Sequence, residues 1–109
     1  MPKFMTIGYG DEEGYERTAP KIRDAAHEHE KTLVRGGAII GAVSAPVQVR
    51  NPDGKGIQTD HTAFMSSPLP IAGFALIEAA DIAEAIKMVS ESPCAVAHGI
   101  PEIWPLMSS

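Results

Sequence analysis

Seven consecutive residues, Ile71-Ala72-Gly73-Phe74-Ala75-Leu76-Ile77, carry no polar side chain. Their length and their Ile and Phe content suit a β-strand, along which side chains alternate between two faces. A strand that is apolar on both faces belongs to a sheet covered on both sides. Ala38-Ile39-Ile40-Gly41-Ala42-Val43 reads as a second strand with the same requirement. The fold therefore needs two covers for one sheet.

The rest of the chain supplies one of them. Phe4, Met5, Ile7 and Tyr9 predict a first strand over Lys3 to Tyr9, closed by Gly10 and the acidic loop Asp11-Glu12-Glu13-Gly14. Thr18 and Pro20 predict a helix start, and Ile22, Ala26, His29 and Leu33 recur at spacings of four, three and four until Gly36-Gly37 ends the helix. Val47 and Val49, then Ile57 and Thr59, alternate on either side of Asn51-Pro52-Asp53-Gly54, the pattern of a hairpin. His61 to Pro70 reads as a loop. Asp81 with Glu84 forms a capping box for a second helix bearing Ile82, Ala85, Ile86 and Val89, which Pro93 cuts off before a last strand over Gly99 to Leu106.

The resulting order of strand, helix, strands, helix, strand predicts an α+β chain with a ferredoxin-like antiparallel sheet and two helices on one face. Two helices do not cover two faces. A second copy of the same sheet, packed face to face about a two-fold axis, is the simplest second cover, so a homodimer through the open sheet face is expected. The competing view is that small residues such as Ala and Gly tolerate exposure. At 109 residues one domain spanning 1–109 is expected.

Charge narrows the partners. Fourteen acidic residues against nine scattered basic ones give a net charge of −5, which argues against nucleic acid, whose affinity rests on phosphate neutralisation. The single cysteine, Cys94, has no internal disulfide partner, and Met1-Pro2-Lys3-Phe4 opens without a leader or a membrane span. A cytoplasmic protein that engages no membrane is expected.

Several stretches resemble the YCII-related family, in its DGPF branch. Leu33-Val34-Arg35-Gly36-Gly37-Ala38-Ile39-Ile40-Gly41 is similar to that branch's first helix end and second strand. The segment from Gly73-Phe74-Ala75-Leu76-Ile77 through Asp81 to Ile86 is similar to its later strand and second helix, and Ser92-Pro93-Cys94-Ala95 to its helix end. Asp60 stands where the Asp-Gly-Pro-Phe motif begins, but the chain continues His61-Thr62-Ala63-Phe64, so only Asp60 and, past an inserted residue, Phe64 carry over. The resemblance implies a dimeric α+β barrel with a pocket between helix and sheet. It also implies an Asp paired with a His near the first helix start: Asp60 with His27 by count or His29 by orientation.

The residues can be weighed without the family. His29 lies on the apolar stripe, where an imidazole serves either as acid or base or as a core group satisfied by one hydrogen bond. His27 lies about 200° around the helix from His29 and faces solvent, a spacing that does not let the two hold one metal ion. Asp60 and His61 enter the small-residue loop, and Asp60 serves either to orient a histidine or to cap the turn. Phe64 and Trp104 either line a pocket for a small aromatic ligand or fill a core. Cys94 reads as a buried, inert thiol, and His98 has no constellation around it. No metal and no cofactor is expected.

Two functions fit. One is an acid-base enzyme, lyase or dehydrochlorinase-like, acting on a small organic compound, aromatic ones included, through Asp60 and His29 or His27, with His61 at the mouth. The other is a non-catalytic small-molecule-binding or accessory dimer module in which no histidine reaches Asp60.

Overall fold

The computed structural model describes residues 1–107; the last two positions of the expected domain lie outside the described residues. The chain is α+β. Its strands and helices run β1 (Lys3–Tyr9), α1 (Glu12–Arg17), α2 (Pro20–Arg35), β2 (Ile39–Ala42), β3 (Gln48–Arg50), β4 (Gln58–Asp60), β5 (Ile71–Glu78), α3 (Ile82–Ser90), α4 (Pro93–Val96) and β6 (Ile100–Pro105). Four strands form an antiparallel sheet in the order β2-β5-β1-β6, and β3 pairs with β4 in a separate ribbon.

Direct pairing fixes the two faces of the main sheet. Phe4 stands opposite Ile77, and Thr6 stands between Ala75 and Ile103. This face meets the helices: Phe4 and Ile77 are buried with Ala79, Ala85 and Val89, and Ala38, Ala75, Met88 and Ile103 close around them. The opposite face carries the rows Ile39–Leu76–Met5–Trp104 and Gly41–Phe74–Ile7–Glu102. Among the described residues nothing packs over these rows, and Ile39, Ile100 and Trp104 are half-exposed or more. The sheet is apolar on both faces, as the sequence demands, and one chain covers only one of them.

Helix boundaries follow local chemistry. Gly37 at φ +108° ends α2, and the Ala38 amide donates to the Leu33 carbonyl at 3.0 Å. At α3, the Glu84 amide donates to Asp81 at 2.8 Å while the Glu84 carboxylate accepts from the Ala80 amide, a capping box displaced by one residue.

Three local expectations are corrected. The acidic stretch after β1 is helical, because Asp11 accepts from the Gly14 amide at 2.9 Å and starts α1. Thr18 ends that helix instead of starting the next, its hydroxyl donating to the Gly14 carbonyl at 2.8 Å. Pro93 opens α4, whereas α3 already ends at Ser90. The chain thus carries two short helices beyond the two expected.

The β3–β4 ribbon leaves the sheet between β2 and β5. The molecule measures 51 × 37 × 21 Å with a radius of gyration of 15.9 Å, against roughly 13 Å for a compact chain of this size. No helix among the described residues is long and apolar enough to cross a membrane.

Candidate functional site

Gly14 sits where an added Cβ would lie 2.5 Å from the Ala97 carbonyl. That close approach seats α1 against the end of α4 and turns Tyr15 toward α2. Arg23 and His27, one helical turn apart on α2, take the ring between them. The Arg23 guanidinium lies 4.6 Å from the Tyr15 ring centroid, and the Tyr15 and His27 rings lie 6.0 Å apart at 59°. Such a cation–π contact contributes about 0.5–1 kcal/mol at an exposed site.

The polar ends meet as well. Tyr15 Oη and His27 Nε2 share a hydrogen bond of 2.9 Å, and His27 Nδ1 lies 3.6 Å from Glu30 Oε1, the next residue along the same helix face. The three form a chain of phenol, imidazole and carboxylate. A cleft of about 790 Å³ opens beside it, lined by Glu12, Tyr15, His27, Ile71 and Cys94 among others. Behind it, a cavity of about 80 Å³ lies between the helices and the sheet, where Glu30 and Cys94 face Thr6, Gly8 and Gly73.

Cys94 separates the two spaces. A Cβ added at Gly8 would lie 2.8 Å from its Sγ, so the thiol rests on a strand position that only glycine leaves open. Burial, and after it the charge of Glu30, pushes the thiol up from its ordinary range. It is held protonated, which suits a wall and not a nucleophile.

His29 does not point at the sheet. Because α2 packs chiefly on α4 and the edge strand β2, its inward face passes through Ala26, Glu30 and Leu33, and Ile22 is half-exposed. His29 reaches the end of α3, where Nε2–H donates to the Met88 carbonyl at 2.6 Å and Nδ1 lies 3.9 Å from Glu91. Met88 is in the last turn of α3, whose carbonyls have no partner within the helix. The imidazole therefore ties two helices together. His27, expected to face solvent, is half-exposed and bonded.

Asp60, His61 and Phe64 lie on or beside the ribbon. Asp60 accepts from the Thr62 hydroxyl at 2.7 Å, and Thr62 is also held by Gln48. No hydrogen bond joins Asp60 to a histidine among the described residues. His61 is exposed, Phe64 is 80% exposed, and Trp104 stands on the open sheet face. Neither aromatic lines the cleft. The residues that sequence reasoning missed are Tyr15, Arg23 and Glu30. The spacings Arg23–His27 and His27–Glu30 are helical neighbours and were visible, but Tyr15 joins them only through α1. Among the described residues no three His, Cys, Asp or Glu side chains converge as a metal site.

No protein-family model matches the chain, and no curated protein matches it at a significant level.

Proposed function

We propose that the chain is a small acid-base enzyme, lyase or dehydrochlorinase-like, that acts on a small organic compound held in the cleft beside Tyr15 and His27. The observation that carries this reading is the 2.9 Å bond between Tyr15 Oη and His27 Nε2 at the cleft wall. With Nδ1–H turned toward Glu30, Nε2 accepts the phenolic proton, and the Tyr15 oxygen takes a proton from a substrate carbon. The electron pair of that C–H bond forms a carbon–carbon double bond as the leaving group departs with its own pair. Tyr15 is then a phenol again, carrying the substrate's proton, and the proton held by His27 leaves to water or to the leaving group, which restores the neutral ring. Largely apolar lining at Ala42, Pro70, Ile71 and Ala72 suits an apolar, aromatic or alicyclic substrate.

The strand order β2-β5-β1-β6 supports a ferredoxin-like reading, and the uncovered apolar rows support a homodimer of the dimeric α+β barrel kind, as in the YCII-related proteins the sequence resembles. The single thiol suits a cytoplasmic setting. In this reading the acid-base pair is Tyr15 and His27, in place of Asp60 and a histidine.

A second reading, a small-molecule-binding or accessory module, is favoured by Asp60, whose hydrogen-bond partner is Thr62. A panel of small halogenated and hydroxylated ring compounds distinguishes the two. The enzyme reading expects release of halide or water that falls at least about 100-fold in both Tyr15→Phe and His27→Asn. Binding of panel members without release in the unmodified protein establishes the module instead.

A further inference from the structure

The β3–β4 ribbon has two unlike faces. Gln48 pairs with Asp60, Val49 with Thr59 and Arg50 with Gln58. Paired side chains share a face, so Gln48, Arg50, Gln58 and Asp60 stand together and Val49 stands with Thr59 on the other side. Alternation extends that second face to Val47 and Ile57. The polar face is tied to its own surroundings, with Arg50 donating to Gln48 at 2.8 Å and Gln48 to the Thr62 carbonyl at 2.9 Å. The apolar face touches nothing that covers it: Val47, Val49 and Ile57 are 50%, 66% and 75% exposed. A two-stranded ribbon is at best marginally stable in water, and one patterned this way is built to lie on an apolar surface.

We propose that the ribbon is an embracing arm whose apolar face packs on a second copy of this chain. This inference rests on the homodimer reading above and adds to it. β2 and β5 present Ile39, Phe74 and Leu76 on the open sheet face, and the arm is inserted in the chain between these two strands, after residues 43–47 and before the loop of residues 61–70. Area favours a second copy as the occupant. Large apolar side chains exposed on the sheet face, such as Ile39 and Trp104, count toward the roughly 800 Å² that each partner buries in a standard interface, and the arm adds Val47, Val49 and Ile57 to them. The arm enlarges the apolar surface that the sheet face offers to a partner.

Sedimentation across a concentration series, with emission from the single Trp104 on the open face as a second readout, tests this in the full-length chain. The unmodified protein is expected to be a dimer whose Trp104 emission shifts to the red on dilution. Val49→Lys with Ile57→Lys, which places unpaired charge in the arm contact, is expected to weaken dimerisation at least about 100-fold. Gln58→Lys, on the polar face, is expected to leave it unchanged. The arm lies outside the buried core, so an unchanged circular dichroism spectrum of the main domain is expected in both variants. Dimers of equal strength in all three proteins overturn the arm and leave the sheet-face dimer standing. Equal weakening by Gln58→Lys also overturns it, because the effect is then one of charge alone. A monomer at every concentration overturns both the arm and the homodimer.

Discussion

Tyr15 and His27, twelve positions apart and on different helices, meet at 2.9 Å between Oη and Nε2 at the wall of a cleft beside the helices. The contact depends on three separate local facts: Asp11 starting α1, Gly14 letting it approach Ala97, and Arg23 holding the ring from the other side. Losing any one of them should loosen the pair before it unfolds the chain.

Gly14→Ala tests that dependence. The added methyl meets the Ala97 carbonyl, so α1 must move, at a cost of about 1–3 kcal/mol. Chemical denaturation should show that loss, and the Tyr15–His27 coupling should weaken in the folded protein.

His29 belongs to stability. His29→Ala removes the donor to the Met88 carbonyl and is expected to lower unfolding free energy by about 1–2 kcal/mol, measured by urea titration. Turnover on any substrate found should persist. A loss of turnover in the folded variant would return His29 to the site.

Gly8 and Cys94 should be coupled. Gly8→Ala drives a Cβ toward Sγ and should cost about 1–3 kcal/mol, while Cys94→Ala in the same chain should recover much of that cost. A double-mutant cycle by denaturation measures the recovery, and simple additivity would mean that the thiol does not rest on Gly8.

Cys94 should alkylate slowly until the pH exceeds the ordinary thiol range, since burial and Glu30 both push it up. Glu30→Gln removes the second cause, so the alkylation profile should move to lower pH. The folded chain holds this proton where the unfolded chain has lost it. The thiol's contribution to stability is therefore complete below the unfolded-state value and is lost as pH rises through the folded one.

Much of the architecture was legible because it is written in short-range signals. β1 occupies the span its alternation predicts, Gly36-Gly37 ends α2, and Asp81 caps α3. The helix α1 was hidden because six residues containing a glycine have little helical tendency of their own, and its stability comes from packing on Ala97. The site was half legible for the same reason. His27 was among the candidates, but its partner Tyr15 sits on the unforeseen helix and Glu30 was not singled out. Asp60 was a candidate by motif, and in the structure its side-chain hydrogen bond is with Thr62.

The most direct test of the proton-transfer unit is nitrogen-detected NMR of the His27 ring in the unmodified protein and in Tyr15→Phe. The account predicts a neutral ring protonated at Nδ1, with an Nε2 signal that shifts when the phenol is removed while His61 and His98 stay unchanged. A ring protonated at Nε2, or one indifferent to Tyr15→Phe, would contradict it, because Nε2 could not then receive the phenolic proton.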